Sequence, residues 1–181
     1  PMQELELARR HGIDGFALNC LNWAKPDPKT DTMTLFGHGK GAADVYEAAR
    51  RLDSGFKLFI SADVNGNLNP IPRTMLDMVE RFGEHPNQLR YEGKVVLSTW
   101  AGTPQTYAAG CRLLREKGHD VHFVPFCGNR RHVMAWSVEN LLRLFRGADH
   151  LDGWFYFAAD GTTADIIRTN AAARLVTQYL G

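Results

Sequence analysis

Phe56-Lys57-Leu58-Phe59-Ile60-Ser61-Ala62-Asp63 is a short apolar run that ends on a carboxylate and leads into the amide-rich stretch Val64-Asn65-Gly66-Asn67-Leu68-Asn69. A near-continuous apolar run of this length, bounded by turn residues, has the pattern of a strand covered on both faces. The stretch after it has a different period: Met75, Met78, Val79 and Phe82 form one stripe of a helix over Arg73 to Phe82. The same alternation extends in both directions. Strands are expected at Gly15 to Asn19, Lys57 to Asp63, Val95 to Trp100, Val121 to Cys127 and Gly153 to Ala159. Helices are expected at Gln3 to His11, Ala42 to Leu52, Arg73 to Phe82, Thr103 to Lys117, Ser137 to Arg146 and Thr163 to Leu180. Thr103 before Pro104, Ser137 ahead of Asn140, and Gly118 after Glu116-Lys117 punctuate helix ends.

A helix followed by five β/α units makes an α/β fold with a parallel sheet and right-handed crossovers. Two features favour a partial TIM (β/α) barrel over a doubly wound sheet. The loops Leu21 to Gly41 and Val64 to Pro72 are long and polar, and Asn19, Asp63, Thr99 and Asp160 sit at strand carboxyl ends. Barrel enzymes build their sites there. No GxGxxG follows a strand, and Phe36-Gly37-His38-Gly39-Lys40-Gly41 lacks the spacing of a phosphate loop. It reads as a flexible approach to a helix starting near Ala42. Five strands fall short of eight, so residues 1–181 read as a single segment of an incomplete barrel.

Composition narrows the function classes. Lys+Arg 21 against Asp+Glu 20, interspersed, leaves a net charge of +1, and the longest basic run is Arg130-Arg131-His132. That is no footprint for nucleic acid. No apolar run is long enough to span a bilayer, and the sequence opens at Pro1 without a basic n-region or apolar h-region, so any signal peptide is expected to have been removed or to lie outside it. No obligate protein partner is evident. Cys20, Cys111 and Cys127 form no CxxC, and the seven histidines form no HExxH or HxH. A metal site is therefore not expected, and no cofactor is implied. Cys20 and Cys127 both fall near strand carboxyl ends and read as buried free thiols.

Asp63 is the first candidate for chemistry; the competing reading is a turn cap ahead of Gly66. Asn65 and its amide neighbours suit sugar hydroxyls. Asn19, Asn22 and Trp23 stand at the end of the first strand, where an amide can read hydroxyls and a ring can stack on a pyranose. A turn former and a loop anchor explain them equally well. Trp100 carries the same two readings. Asp160 faces a cleft or, before Gly161, makes a turn. Asp14 and Asp152 each precede a glycine and an aromatic at the start of a strand, the end where residues serve stability.

Several of these segments together resemble glycoside hydrolase family 71, the α-1,3-glucanases or mutanases. Gly12 to Asn19, the Phe56 to Asp63 strand ("KxFxSxD"), His85-Pro86-Asn87-Gln88 through Tyr91 and Gly93-Lys94 to Gly102, His122 to Pro125, and Asp152 to Phe155 follow the family order. The resemblance implies a secreted, extracellular enzyme making endo cuts in α-1,3-glucan with inversion, through paired carboxylates. Asp63 matches a family carboxylate of the active site, and the reading of the residues themselves adds Asn19, Asn65, Trp100 and Asp160 as expected substrate contacts. The resemblance also implies a strand upstream of Gly12 and a later Trp-Asn-Asp-x-x-Glu segment carrying the acid and base, neither of which this chain has. The isolated segment is then expected to be weakly active or inactive and prone to associate through open strand edges. Two alternatives stand beside this reading: another barrel glycosidase, such as an endo-mannosidase-like enzyme, and a non-catalytic glycan-binding unit.

Overall fold

The computed structural model describes residues 1–30, 32–63, 71–126, 138–148 and 150–155, and helical positions 167, 171, 172, 174, 175 and 178. The elements run α1 (Met2–Arg10), β1 (Gly15–Cys20), β2 (Ala24–Pro26), β3 (Met33–Leu35), α2 (His38–Leu52), β4 (Lys57–Asp63), α3 (Ile71–Phe82), β5 (Arg90–Tyr91), β6 (Lys94–Trp100), α4 (Pro104–Glu116), β7 (Val121–Phe123) and α5 (Val138–Phe145). β1, β4, β6 and β7 pair in chain order, each parallel to the next. A bridge from Phe126 to Phe155 begins the next parallel pairing. The remainder of the expected fifth strand, and most of the Thr163 to Leu180 helix, lie outside the described residues. A sheet whose order never reverses, with crossovers of one hand, keeps its helices on one face. That is the arc of a barrel.

Register explains which side chains meet. On β4, Leu58, Ile60 and Ala62 are buried on the helix side, where they join Met75, Met78 and Tyr46 in the core. Phe59, Ser61 and Asp63 alternate onto the inner face. The helices pack as neighbours round the outside, α1 on α2 and α3 on α4.

The His85 to Gln88 motif proves structural. Leu58 N–H donates to the Asn87 carbonyl at 2.8 Å, Leu89 N–H to Leu58 at 2.7 Å, and Val96 N–H to Leu89 at 3.0 Å. Residues 87–89 are thus wedged between the amino-terminal halves of β4 and β6. The two strands pair directly only where Ser61–Asp63 meets Ser98–Trp100, at the carboxyl ends. Side chains lock the wedge. Asn87 Nδ2 donates to Phe56 O at 2.8 Å, Gln88 Nε2 to Val96 O at 2.9 Å, and Tyr46 Oη to Gln88 Oε1 at 2.6 Å.

His85 holds the entry to this wedge, accepting Asn87 N–H on Nδ1 at 3.2 Å and meeting Tyr46 edge-on at 5.0 Å. Partial burial, with help from Arg50, lowers its pKa from the ordinary 6.5. A folded-state value below the unfolded one means the native protein binds the proton less readily. The stabilising contribution is complete above about pH 6.5 and is lost as pH falls towards the lower folded value. Thermal midpoints of the protein and its His85→Gln variant should therefore converge between pH 7.5 and 5.5. A gap that stays constant over that range would remove the titrating role of His85.

Two expectations are corrected. The Leu21 to Gly41 loop contains an antiparallel hairpin, β2–β3, with Ala24 opposite Leu35. The helix after it starts at His38 rather than near Ala42. A Cβ on Gly39 would run into the Trp23 carbonyl, so the helix start packs against the hairpin at the one residue type that fits.

Candidate active site

The carboxyl ends of β1, β4 and β6 converge on Asp63. Asn19 is opposite Ser61, Ser61 is opposite Ser98, and Asp63 is opposite Trp100. Two layers result on the inner face: a polar row of Asn19, Ser61 and Ser98, and above it the Asp63–Trp100 pair. Asp63 is 9% exposed, and Asn19 Nδ2 donates to its Oδ2 at 3.3 Å. A carboxylate this deep needs fixed donors, because water no longer solvates it fully. Ser98 Oγ donates to Val124 O at 2.7 Å, tying the row to the chain after β7.

Trp100 continues into an aromatic wall. Its ring stacks on Phe126 at 4.5 Å and 20°, and Phe155 meets Phe126 edge-on at 5.7 Å. Asn19, Phe59, Ser61, Trp100 and Phe155 line one cavity of ≈ 480 Å³. An apolar cleft with a few convergent polar groups is the usual form of a small-molecule subsite. The turn that fixes Trp100 is specialised: Ala101 (φ 64) and Gly102 (φ 87) are both left-handed. The Thr103–Thr106 capping box then opens α4.

Of the sequence candidates, Asp63, Asn19 and Trp100 come together here, whereas Asn65 and Asp160 lie outside the described residues. Trp23 does not belong to the site. It is 0% exposed, with Nε1 donating to Asp77 Oδ2 at 2.8 Å, so the loop-anchor reading holds and the sugar-stacking one falls. Asp77 also accepts Arg81 Nε at 2.7 Å, and the Arg81 guanidinium donates to the Met33 carbonyl, fastening the β2–β3 hairpin to α3. Asp152, at the opposite end of the strands, accepts Phe123 N–H at 2.8 Å in a structural role. Ser61, Ser98, Phe126 and Phe155 escaped the sequence reading. Period-2 spacing from Asp63 and Trp100 was the available signal for the two serines.

Cys20 and Cys111 are buried free thiols, each pushed up to about 12 by burial, while Cys127 lies outside the described residues. Such thiols are inert as nucleophiles at neutral pH. Among the described residues there is no group of three or more His, Cys, Asp or Glu able to hold a metal ion. No described helix is long and apolar enough to cross a membrane.

The glycosyl hydrolase family 71 model matches residues 2–171. The chain belongs to glycosyl hydrolase family 71. Two curated relatives agree. A glucan endo-1,3-alpha-glucosidase of Schizosaccharomyces pombe is 33% identical over 133 residues, covering 68% of this chain and 28% of the relative. A mutanase of Penicillium rubens is 30% identical over 159 residues, covering 88% of this chain and 31% of the relative. This family 71 chain thus spans less than a third of the length of either. Two structures of the GH99 endo-alpha-mannosidase from Bacteroides thetaiotaomicron match 98% of the chain at TM-scores of 0.62 and 0.61, with 17% and 20% identity. The chain covers 51% and 48% of those structures, which establishes a shared fold. The family 71 segment is a partial barrel, as its strand order indicates.

Proposed function

We propose that the protein is an endo-acting hydrolase of α-1,3-glucan in which Asp63 is a catalytic carboxylate at the barrel mouth. The observation that carries this reading is the buried Asp63 carboxylate, held by Asn19 beside the Trp100 ring at the carboxyl ends of three adjacent strands. Barrel enzymes work at that end. The Trp100 ring offers an apolar surface for a pyranose, and Asn19, Asn65 and Asp160 offer hydrogen-bonding groups for its hydroxyls. Inversion requires two carboxyls about 6.5–9.5 Å apart, one acid and one base for water. Asp63 is this segment's contribution to that chemistry. An extracellular site of action accords with a polysaccharide substrate.

Offered α-1,3-glucan, β-1,3-glucan and α-mannan, the protein in its longest natural form should release reducing ends from the first alone. Early product should carry the β anomer by NMR, because inversion at an α linkage gives β. Release from α-mannan instead would overturn the substrate and keep the barrel hydrolase. Early α anomer would overturn inversion.

A further inference from the structure

We infer that Asn19 is a positioning residue for Asp63, its side-chain amide reaching from β1 to fix the orientation of the carboxylate that ends β4. This rests on the catalytic reading of Asp63 and adds to it a partner with a distinct task. The geometry is specific. β1 and β4 are paired along six residues, with Asn19 opposite Ser61, so the amide reaches two residues up the partner strand on the same face. There Nδ2 donates to Asp63 Oδ2 at 3.3 Å. A donor anchored in a paired strand moves less than one on a loop, so it holds the carboxylate in one orientation. One of the two Nδ2 hydrogens is thereby given to Asp63, while the other and Oδ1 remain for a sugar hydroxyl.

Burial sharpens the argument. Asp63 is 9% exposed, whereas Asn19 is exposed on the open inner face of β1. Removing the Asn19 amide takes a donor from the carboxylate without opening the core, so the fold should survive. Among the described residues, the cavity that Asn19 shares with Ser61 and Trp100 has no titratable side chain in its lining. On the other flank of β1, His38 and Asp44 border a second cavity with Asn19.

The test compares Asn19→Leu, Asn19→Asp and Asp63→Asn with the parent on α-1,3-glucan, following kcat, KM and the thermal midpoint. Asn19→Leu should lower kcat about 10- to 100-fold with KM within about twofold, as small misplacements of a reacting group do. Asn19→Asp replaces the donor by a second carboxylate that cannot hold Asp63 in place, and its kcat should fall at least as far as that of Asn19→Leu. His38→Asn, on the other flank of β1, should leave kcat unchanged. A raised KM with parental kcat in Asn19→Leu would make Asn19 a substrate contact only and overturn the inference. A parental Asn19→Leu beside an impaired Asp63→Asn overturns the inference alone. Full activity in Asp63→Asn removes the catalytic reading and this inference with it.

Discussion

Asp63→Asn lowers kcat on α-1,3-glucan by about 10²–10⁴-fold, the range that a positioned acid or base supplies, and leaves the thermal midpoint near that of the parent. The substitution is nearly isosteric. It keeps an oxygen to accept the Asn19 amide, so the 3.3 Å contact and the β1–β4 pairing have no reason to change. What it removes is the negative charge and the ability to take a proton. A carboxylate that merely capped a turn would behave in the opposite way: stability would fall by about 0.5–2 kcal/mol, as capping losses do, and turnover would be spared. Initial rates of reducing-end release, measured with a thermal melt of the same preparation, separate the two. A kcat within threefold of the parent would leave Asp63 a structural residue.

How far the sequence foretold this depends on the kind of signal. β4 matches its expected bounds, Lys57–Asp63, because an apolar run between Gly55 and an amide-rich loop has one natural register. Asp63 at its end followed from that. The Asn19–Asp63 contact did not, because it depends on how β1 and β4 align, and nothing local to either strand sets their relative register. The three-residue strands Ala24–Pro26 and Met33–Leu35 are too short to show a period. α2 began earlier than expected because Gly39 and Gly41 are poor helix formers, and only the close approach of the Trp23 backbone explains Gly39 there. Asp77 was hidden by its own spacing to Arg81, which reads as an ordinary i,i+4 surface pair until Trp23 is set against it. The rings of Phe126 and Phe155 belonged to apolar runs whose inward face no single sequence declares.

Trp23→Ala destabilises the protein by about 3–5 kcal/mol, the range for truncating a large buried aromatic, and Trp23→Phe by about 1–3 kcal/mol, the cost of leaving a buried partner unsatisfied. Trp23 is 0% exposed, meets Phe82 edge-on at 6.0 Å and gives its indole N–H to Asp77 at 2.8 Å. Truncation opens a cavity over α3 and removes one of the donors on a carboxylate that is 9% exposed. Arg81 still pairs with Asp77, which keeps the charge compensated and bounds the loss. The phenyl ring keeps most of the packing and lacks the donor, so the Phe variant isolates the hydrogen bond. Chemical denaturation of both variants reads these terms directly, and a Trp23→Ala shift under about 0.5 kcal/mol, the usual scale of surface substitutions, would mean the indole anchors nothing. A sugar-stacking tryptophan would give the reverse pattern, with KM raised and stability untouched. Because the hairpin that Trp23 secures follows directly from β1, the same variant should also loosen the chain beside Asn19, so its kcat should fall even at temperatures where the protein stays folded.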